Sequence, residues 1–246
     1  MALQPNFRRS TYLVLLAATW LSVGQHGHAM DNAAVATIAA TVLDEAIPEA
    51  KPGNALPNVL LIGDSISLAY TPLVRNALLD TALVERVPGN CQFSAYGANN
   101  AQKWVGDRHW DVIHFNFGLW DLYGWKQEKL VSTQDYGTHL EAIVMALKPA
   151  CDLLIFATTT PPCAEPEHKI KVLASPEKAA EFEAEARRVM KKHHVLVNDL
   201  DGILAGRMNE LGKAPNDVHY TPEGNQVIAE KVASFIDMSL GILPAK

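Results

Sequence analysis

The sequence predicts an α/β protein, a three-layer sandwich with a central five-stranded parallel sheet. Three observations carry that reading. Five short apolar runs, each bounded by polar or turn residues, have the length and content of buried strands. Between them lie longer stretches whose apolar residues recur at helical spacing. Strands separated by helices pair in parallel, because each return crossover needs a helix, and both faces of the sheet are then covered. At 246 residues, 48% hydrophobic and 20% charged, the chain has the makeup of a compact globular protein. The net charge of −6, with no run of Lys and Arg in its body, lacks the basic stripe that neutralises phosphates, so nucleic acid is not an expected partner.

The first thirty residues stand apart. Arg8 and Arg9 precede the apolar stretch Thr11 to Val23, and Gly27 to Ala29 offers a small-x-small cleavage site before Met30. Residues 1–29 therefore read as a signal peptide. A retained membrane anchor is the other reading, but the apolar core is shorter than the ~20 residues that span a bilayer. The double arginine lacks most of the twin-arginine pattern, which leaves that export route a minor variant. No other segment is long and apolar enough to cross a membrane, so the mature chain is expected to be soluble, without a stable membrane span, and secreted or periplasmic. Residues 30–57 are rich in alanine and then in proline and glycine, which stop helices. They read as an N-terminal arm and linker, leaving 58–246 as one organised domain.

The expected strands are Val59 to Ile62, Leu83 to Val87, Val112 to Phe117, Leu153 to Ala157 and Val195 to Val197. A helix is expected to open at Thr71-Pro72, with proline at the first helical position, where its missing N–H costs nothing. Tyr136, Leu140, Ile143, Val144 and Leu147 form the apolar stripe of a second helix. Ser175-Pro176 opens a third, with Ala179, Phe182, Ala186, Val189 and Met190 on one face. Thr221-Pro222 opens the last, with Val227, Ile228, Val232, Phe235 and Ile236.

Ligands of such sheets bind beyond the carboxyl ends of the strands. Gly63-Asp64-Ser65 stands at the end of the first strand, and glycine permits a tight turn there. The triplet alone is more often a turn than a nucleophile, since a free serine needs a base within hydrogen-bond reach. His219 is the candidate base: it follows Asp217 and precedes the Thr221-Pro222 helix start. Several of the other histidines lack this setting. His26 and His28 fall in the leader, His193 and His194 end a charged helix, and neither His109 nor His139 combines a preceding acid with a loop leading into a helix.

In these residues the chain resembles the SGNH or GDSL-type hydrolases, a family of esterases and related acyl hydrolases. The resemblance spans most of Asn58 to Leu240 and rests on Gly63-Asp64-Ser65, on Gly118-Leu119-Trp120-Asp121 after the third strand, and on Asp217-Val218-His219 before the last helix. It implies a flavodoxin-like sheet, Ser65 as nucleophile, His219 as base, Asp217 as its orienting acid, and oxyanion donors from two middle blocks. It implies no metal or organic cofactor, and a small-molecule or carbohydrate ester as the partner.

Three departures qualify it. The family's last block is Asp-x-x-His, which would place Asn216 where the acid belongs. Either Asp217 reaches the imidazole from one residue nearer, or the enzyme is a Ser-His dyad oriented by a carbonyl or by Asn216. In the Gly-x-Asn-Asp block, Trp120 replaces the amide donor. Its indole N–H could take over that contact, or the ring could wall the pocket. In the second block Cys91 falls where the oxyanion glycine would stand, either offering its backbone N–H or serving as a buried structural cysteine. Gly118 and Asp64 complete the expected oxyanion and substrate-binding set.

An odd number of cysteines marks the chain. Cys91 and Cys163 both fall in loops on the carboxyl edge, and a disulfide between them is expected to brace the site, leaving Cys151 free. Trp120, Tyr123 and Trp125 follow the third strand onto the same edge, where aromatic faces could stack on sugar or simply pack together. The expected activity is hydrolysis of short-acyl esters on carbohydrate or small alcohols. A catalytically impaired glycan-binding protein and an acyltransferase using the same residues are the alternatives.

Overall fold

A computed structural model describes residues 56–127, 129–161 and 175–243. The expected leader, nearly all of the arm, and Cys163 with its pairing lie outside the described residues. Five strands form one sheet: β1 (Asn58–Ile62), β2 (Leu83–Arg86), β3 (Trp110–Phe115), β4 (Cys151–Ala157) and β5 (Leu196–Asn198). Their order is β2-β1-β3-β4-β5, and every pairing is parallel. The chain runs outward from β1 to β2 and then returns to the other side of β1 for β3. The carboxyl ends of β1 and β3 therefore flank the crevice where such sheets hold ligands.

The helices are α1 (Ser65–Ala77), α2 (Ser94–Val105), α3 (Leu119–Tyr123), α4 (Thr133–Leu147), α5 (Pro176–Lys192), α6 (Leu200–Leu204), α7 (Met208–Leu211) and α8 (Pro222–Leu240). α1 packs against α8, while α4 packs against both α2 and α5. These groups are the outer layers of the sandwich. The stripe expected on α4 is buried throughout, and each apolar side chain so covered contributes about 1.5–3 kcal/mol. α5 and α8 begin where expected: Ser175 accepts from the Lys178 N–H and Thr221 from that of Gly224, each with proline at the next position.

The first helix departs from expectation. It opens at Ser65, not at Thr71-Pro72, and Pro72 lies inside it. Asp64 is the reason: its carboxylate accepts the Ile66 N–H at 2.9 Å and caps the helix seven residues earlier. Beside the interior proline, the Thr71 hydroxyl donates to the Ser67 carbonyl at 2.6 Å. Gly63 is needed for room and not for an unusual backbone angle, since a Cβ there would meet Ser67 Oγ at 2.9 Å.

β3 is buried along its whole length, and it places His114 inside the core. The ring's Nε2 lies 3.2 Å from Asn198 Nδ2 on β5. Burial pushes its pKa down to about 4 from the ordinary 6.5. The folded chain thus keeps the ring neutral over a range where the unfolded chain protonates it. The stability this contributes is full above about pH 6.5 and is lost as the pH falls toward about 4. His114→Gln, which takes up no proton, is expected to lose less stability than the wild type between about pH 7 and about pH 4.5. Urea midpoints at the two pH values check this, and equal losses would contradict it.

Candidate active site

The geometry at the carboxyl edge is built from two distant segments. Ser65, half-buried, is the first residue of α1, so its hydroxyl sits at the positive end of a 13-residue helix. His219 Nε2 lies 2.9 Å from Ser65 Oγ. On the other side of the ring, His219 Nδ1 lies 2.6 Å from Asp217 Oδ1, and the same oxygen accepts the His219 backbone N–H at 3.0 Å. Asn216, the alternative orienter, is exposed to solvent. Desolvation pushes the Asp217 carboxyl up, but the hydrogen bonds from His219 and the nearby Lys213 charge outweigh it. Its pKa lies below the ordinary value, so it is ionised at neutral pH.

The loop that carries Asp217 and His219 is pinned at both ends. Lys213 N–H donates to the His219 carbonyl at 2.8 Å and Thr221 N–H to that of Leu211 at 2.8 Å, closing an antiparallel bridge between Gly212 and Tyr220. Val218 and Tyr220 are buried while the His219 side chain between them is 43% exposed. Alternation along an extended segment therefore turns the imidazole outward.

The turn that carries Ser65 is held by Arg86, at the end of β2. Its guanidinium donates to the carbonyls of Gly63 (2.8 Å), Asp64 (3.1 Å), Gly89 (2.7 Å) and Val87, and to Ser67 Oγ (2.9 Å). Ser67 Oγ in turn donates to the Asp64 carbonyl at 2.8 Å. A second buried cluster ties the neighbouring loops together. Asp121 accepts from both the backbone N–H of Ser94 (3.0 Å) and its hydroxyl (2.6 Å), and that hydroxyl lies 3.0 Å from His139 Nδ1. Burial pushes the Asp121 carboxyl up to about 6.

No family model and no curated protein matches the sequence. Solved structures do. The acetyl xylan esterase AlAXEase matches with a TM-score of 0.60 at 16% identity, covering 73% of this chain and 99% of that one. The acetylxylan esterase Axe2 from Geobacillus stearothermophilus matches with a TM-score of 0.58 at 14% identity, covering 77% and 97%. A GDSL-like lipase from Bacteroides thetaiotaomicron matches with a TM-score of 0.62 at 14% identity, covering 84% and 97%. The chain has the SGNH-hydrolase fold.

Within that SGNH fold, the remaining expected site residues divide. Gly118 has a φ of +142°, and a Cβ there would meet Thr159 Oγ1 at 2.1 Å, so only glycine fits. Trp120 Nε1 is buried with no hydrogen-bond partner among the described residues. Its ring packs edge-on against Trp125 at 5.6 Å between centroids, and Lys126 lies over its face. Tyr123 is buried and stacks on Trp125 at 4.6 Å. These aromatic rings cover one another more than they offer a platform for sugar.

One expectation is corrected, and of the two readings of Cys91 the structure favours the buried structural cysteine. Asp64 is only 3% exposed and is committed as the cap of α1, with its carbonyl held by Arg86, so it does not face substrate. The Cys91 N–H donates to the Gly63 carbonyl at 3.1 Å, which leaves it no N–H to offer an oxyanion. Cys91 and Cys151 are buried thiols, and burial raises the Cys91 pKa to about 11, so it is protonated at neutral pH. Arg86 went unnoticed in the sequence because its partners are mostly backbone carbonyls, which carry no signature. Arg86→Ala removes the side-chain donors to the Val87 and Gly89 carbonyls, while the Gly63 carbonyl keeps the Cys91 N–H and that of Asp64 keeps the Leu68 N–H and the Ser67 hydroxyl; a buried carbonyl left unpaired costs about 1–3 kcal/mol. The variant is expected to lower the thermal midpoint by several degrees, with Arg86→Lys intermediate. A calorimetric scan showing both at the wild-type midpoint would count against the clamp.

Proposed function

We propose that this chain is a serine hydrolase of carboxylic esters, acting on short acyl groups, acetyl foremost, carried by carbohydrate or small alcohols outside the cytoplasm. The observation that carries the reading is the line from Ser65 Oγ through the His219 ring to Asp217, at 2.9 and 2.6 Å. Nucleophile, base and orienting acid at hydrogen-bond distances are the arrangement that activates a serine. The solved structures described as acetylxylan esterases support the acetyl and carbohydrate parts. The leader-like residues 1–29 support export. Among the described residues no helix is long and apolar enough to cross a membrane.

In this mechanism His219 Nε2 takes the Ser65 proton as the hydroxyl oxygen bonds to the ester carbonyl carbon. Asp217 holds the ring in the tautomer that can accept at Nε2 and stabilises the imidazolium that forms. The C–O bond to the alcohol then breaks as His219 returns the proton to the leaving oxygen. Water repeats the sequence on the acyl-enzyme and frees the acid. The developing oxyanion needs donors held ready without partners of their own. The Ser65 N–H, at the first position of α1, is one. Trp120 Nε1, which has no hydrogen-bond partner among the described residues, is the candidate for the second, in the place of the amide that the family pattern implies.

Ser65→Ala is expected to fold normally by circular dichroism and to lose hydrolysis of p-nitrophenyl acetate; an active variant would overturn the assignment. Trp120→Phe keeps the ring and deletes the donor. It is expected to lower kcat by about 10²-fold, the usual cost of one oxyanion donor. A near-normal kcat would make the indole a pocket wall.

A further inference from the structure

Beside the imidazole lies a cavity of about 390 Å³ bordered by Ile66, Ala69, Lys213, His219, Pro222 and Asn225, within the size range of small-ligand sites. His219 forms part of its wall, and His219 is the group that hands a proton to the departing oxygen. What occupies the cavity is therefore placed as the alcohol half of the ester. Its wall combines apolar carbon from Ile66, Ala69 and Pro222 with two polar features.

The first is Asn225. Its Nδ2 donates to the Tyr220 carbonyl at 3.2 Å, while its buried Oδ1 has no hydrogen-bond partner among the described residues. The second is Lys213, the one permanently cationic residue on the cavity wall. Its backbone N–H bond to the His219 carbonyl sets it directly across the bridge from the base. Its ammonium lies 4.0 Å from Asp217 Oδ2, and its side chain is 68% exposed. An ion pair that long and that wet is weak, so the charge is available to a ligand. In a chain with a net charge of −6, a cation at this spot is not part of a generally positive surface.

We propose, resting on the esterase reading above, that this cavity receives the leaving alcohol and that Lys213 makes the enzyme prefer an alcohol bearing an acidic group, such as a carboxylate. Attack by Ser65 breaks the acyl C–O bond, and the alcohol departs with the His219 proton while Lys213 pairs with its anionic substituent. Lys213 is thereby a specificity-determining residue on the same loop as the acid and the base.

The experiment compares 4-acetoxybenzoate with its neutral methyl ester, two substrates that share an acetyl group and differ in the charge of the leaving phenol. The quantity read is the ratio of kcat/KM for the anionic ester to that for the neutral one. The two phenols differ in intrinsic reactivity, so the ratio is compared among wild type, Lys213→Ala, Lys213→Glu and Lys213→Arg. Replacing the exposed side chain leaves the backbone bond to His219 in place, and the variants are expected to fold. The ratio should fall about fivefold in Lys213→Ala, the scale of an exposed charge pair, fall further in Lys213→Glu, and be largely kept in Lys213→Arg. It should also fall in the wild type as salt is added. A ratio unmoved in Lys213→Ala and Lys213→Glu overturns the proposal. So does a parallel loss on both esters, which would mean that Lys213 acts only through Asp217. Ser65→Ala hydrolysing both esters as fast as wild type would instead overturn the esterase reading itself, and this proposal with it.

Discussion

One guanidinium supports the turn from which Ser65 projects. Where β1 gives way to α1, the carbonyls of Gly63 and Asp64 have left the sheet and point to where Arg86 collects them, together with those of Val87 and Gly89 from the next loop. A buried carbonyl without a donor is costly, and five donors on a rigid planar group satisfy several at once. Asp64 completes the turn from the other side by capping the helix. The position of the Ser65 hydroxyl is therefore set by a cation on the edge strand β2, which makes no contact with the hydroxyl itself.

A comparable economy governs the other half of the site. The bridge between Gly212 and Tyr220 fixes the loop, Thr221 caps the helix that follows, and alternation of side chains turns His219 outward between two buried neighbours. Asp217 reaches the ring from two residues away because its carboxylate also takes the His219 backbone N–H, a local turn that needs no longer spacer. The shortened Asp-x-His spacing and the longer one expected from the SGNH resemblance are thus two ways to supply the same oxygen to the same nitrogen.

Much of this was legible in the residues. The five strands and the stripe of α4 follow from hydrophobic periodicity, and proline marked the starts of α5 and α8 because there it coincides with a serine or threonine cap. The same cue failed at Thr71-Pro72: a stronger cap, Asp64, lay upstream, and a Thr71 hydroxyl bond accompanies the proline's place inside the helix. Ser65, His219 and Asp217 stood out through side-chain chemistry at element ends. Arg86 did not, because main-chain carbonyls are everywhere and no spacing announces which ones a guanidinium will gather. The Ser94, Asp121 and His139 cluster was hidden likewise, its members coming from three helices. Between the two readings of Cys91 the residues could not choose, because alignment to a block locates a residue but not what its N–H already holds.

The two halves of the site lie 154 residues apart along the chain, and α8, which the base precedes, packs on α1, which the nucleophile begins. A ribosome therefore makes the hydroxyl well before the imidazole. Until α8 docks on α1, the growing polypeptide holds Ser65 without its histidine, so the pairing is itself a product of late tertiary assembly.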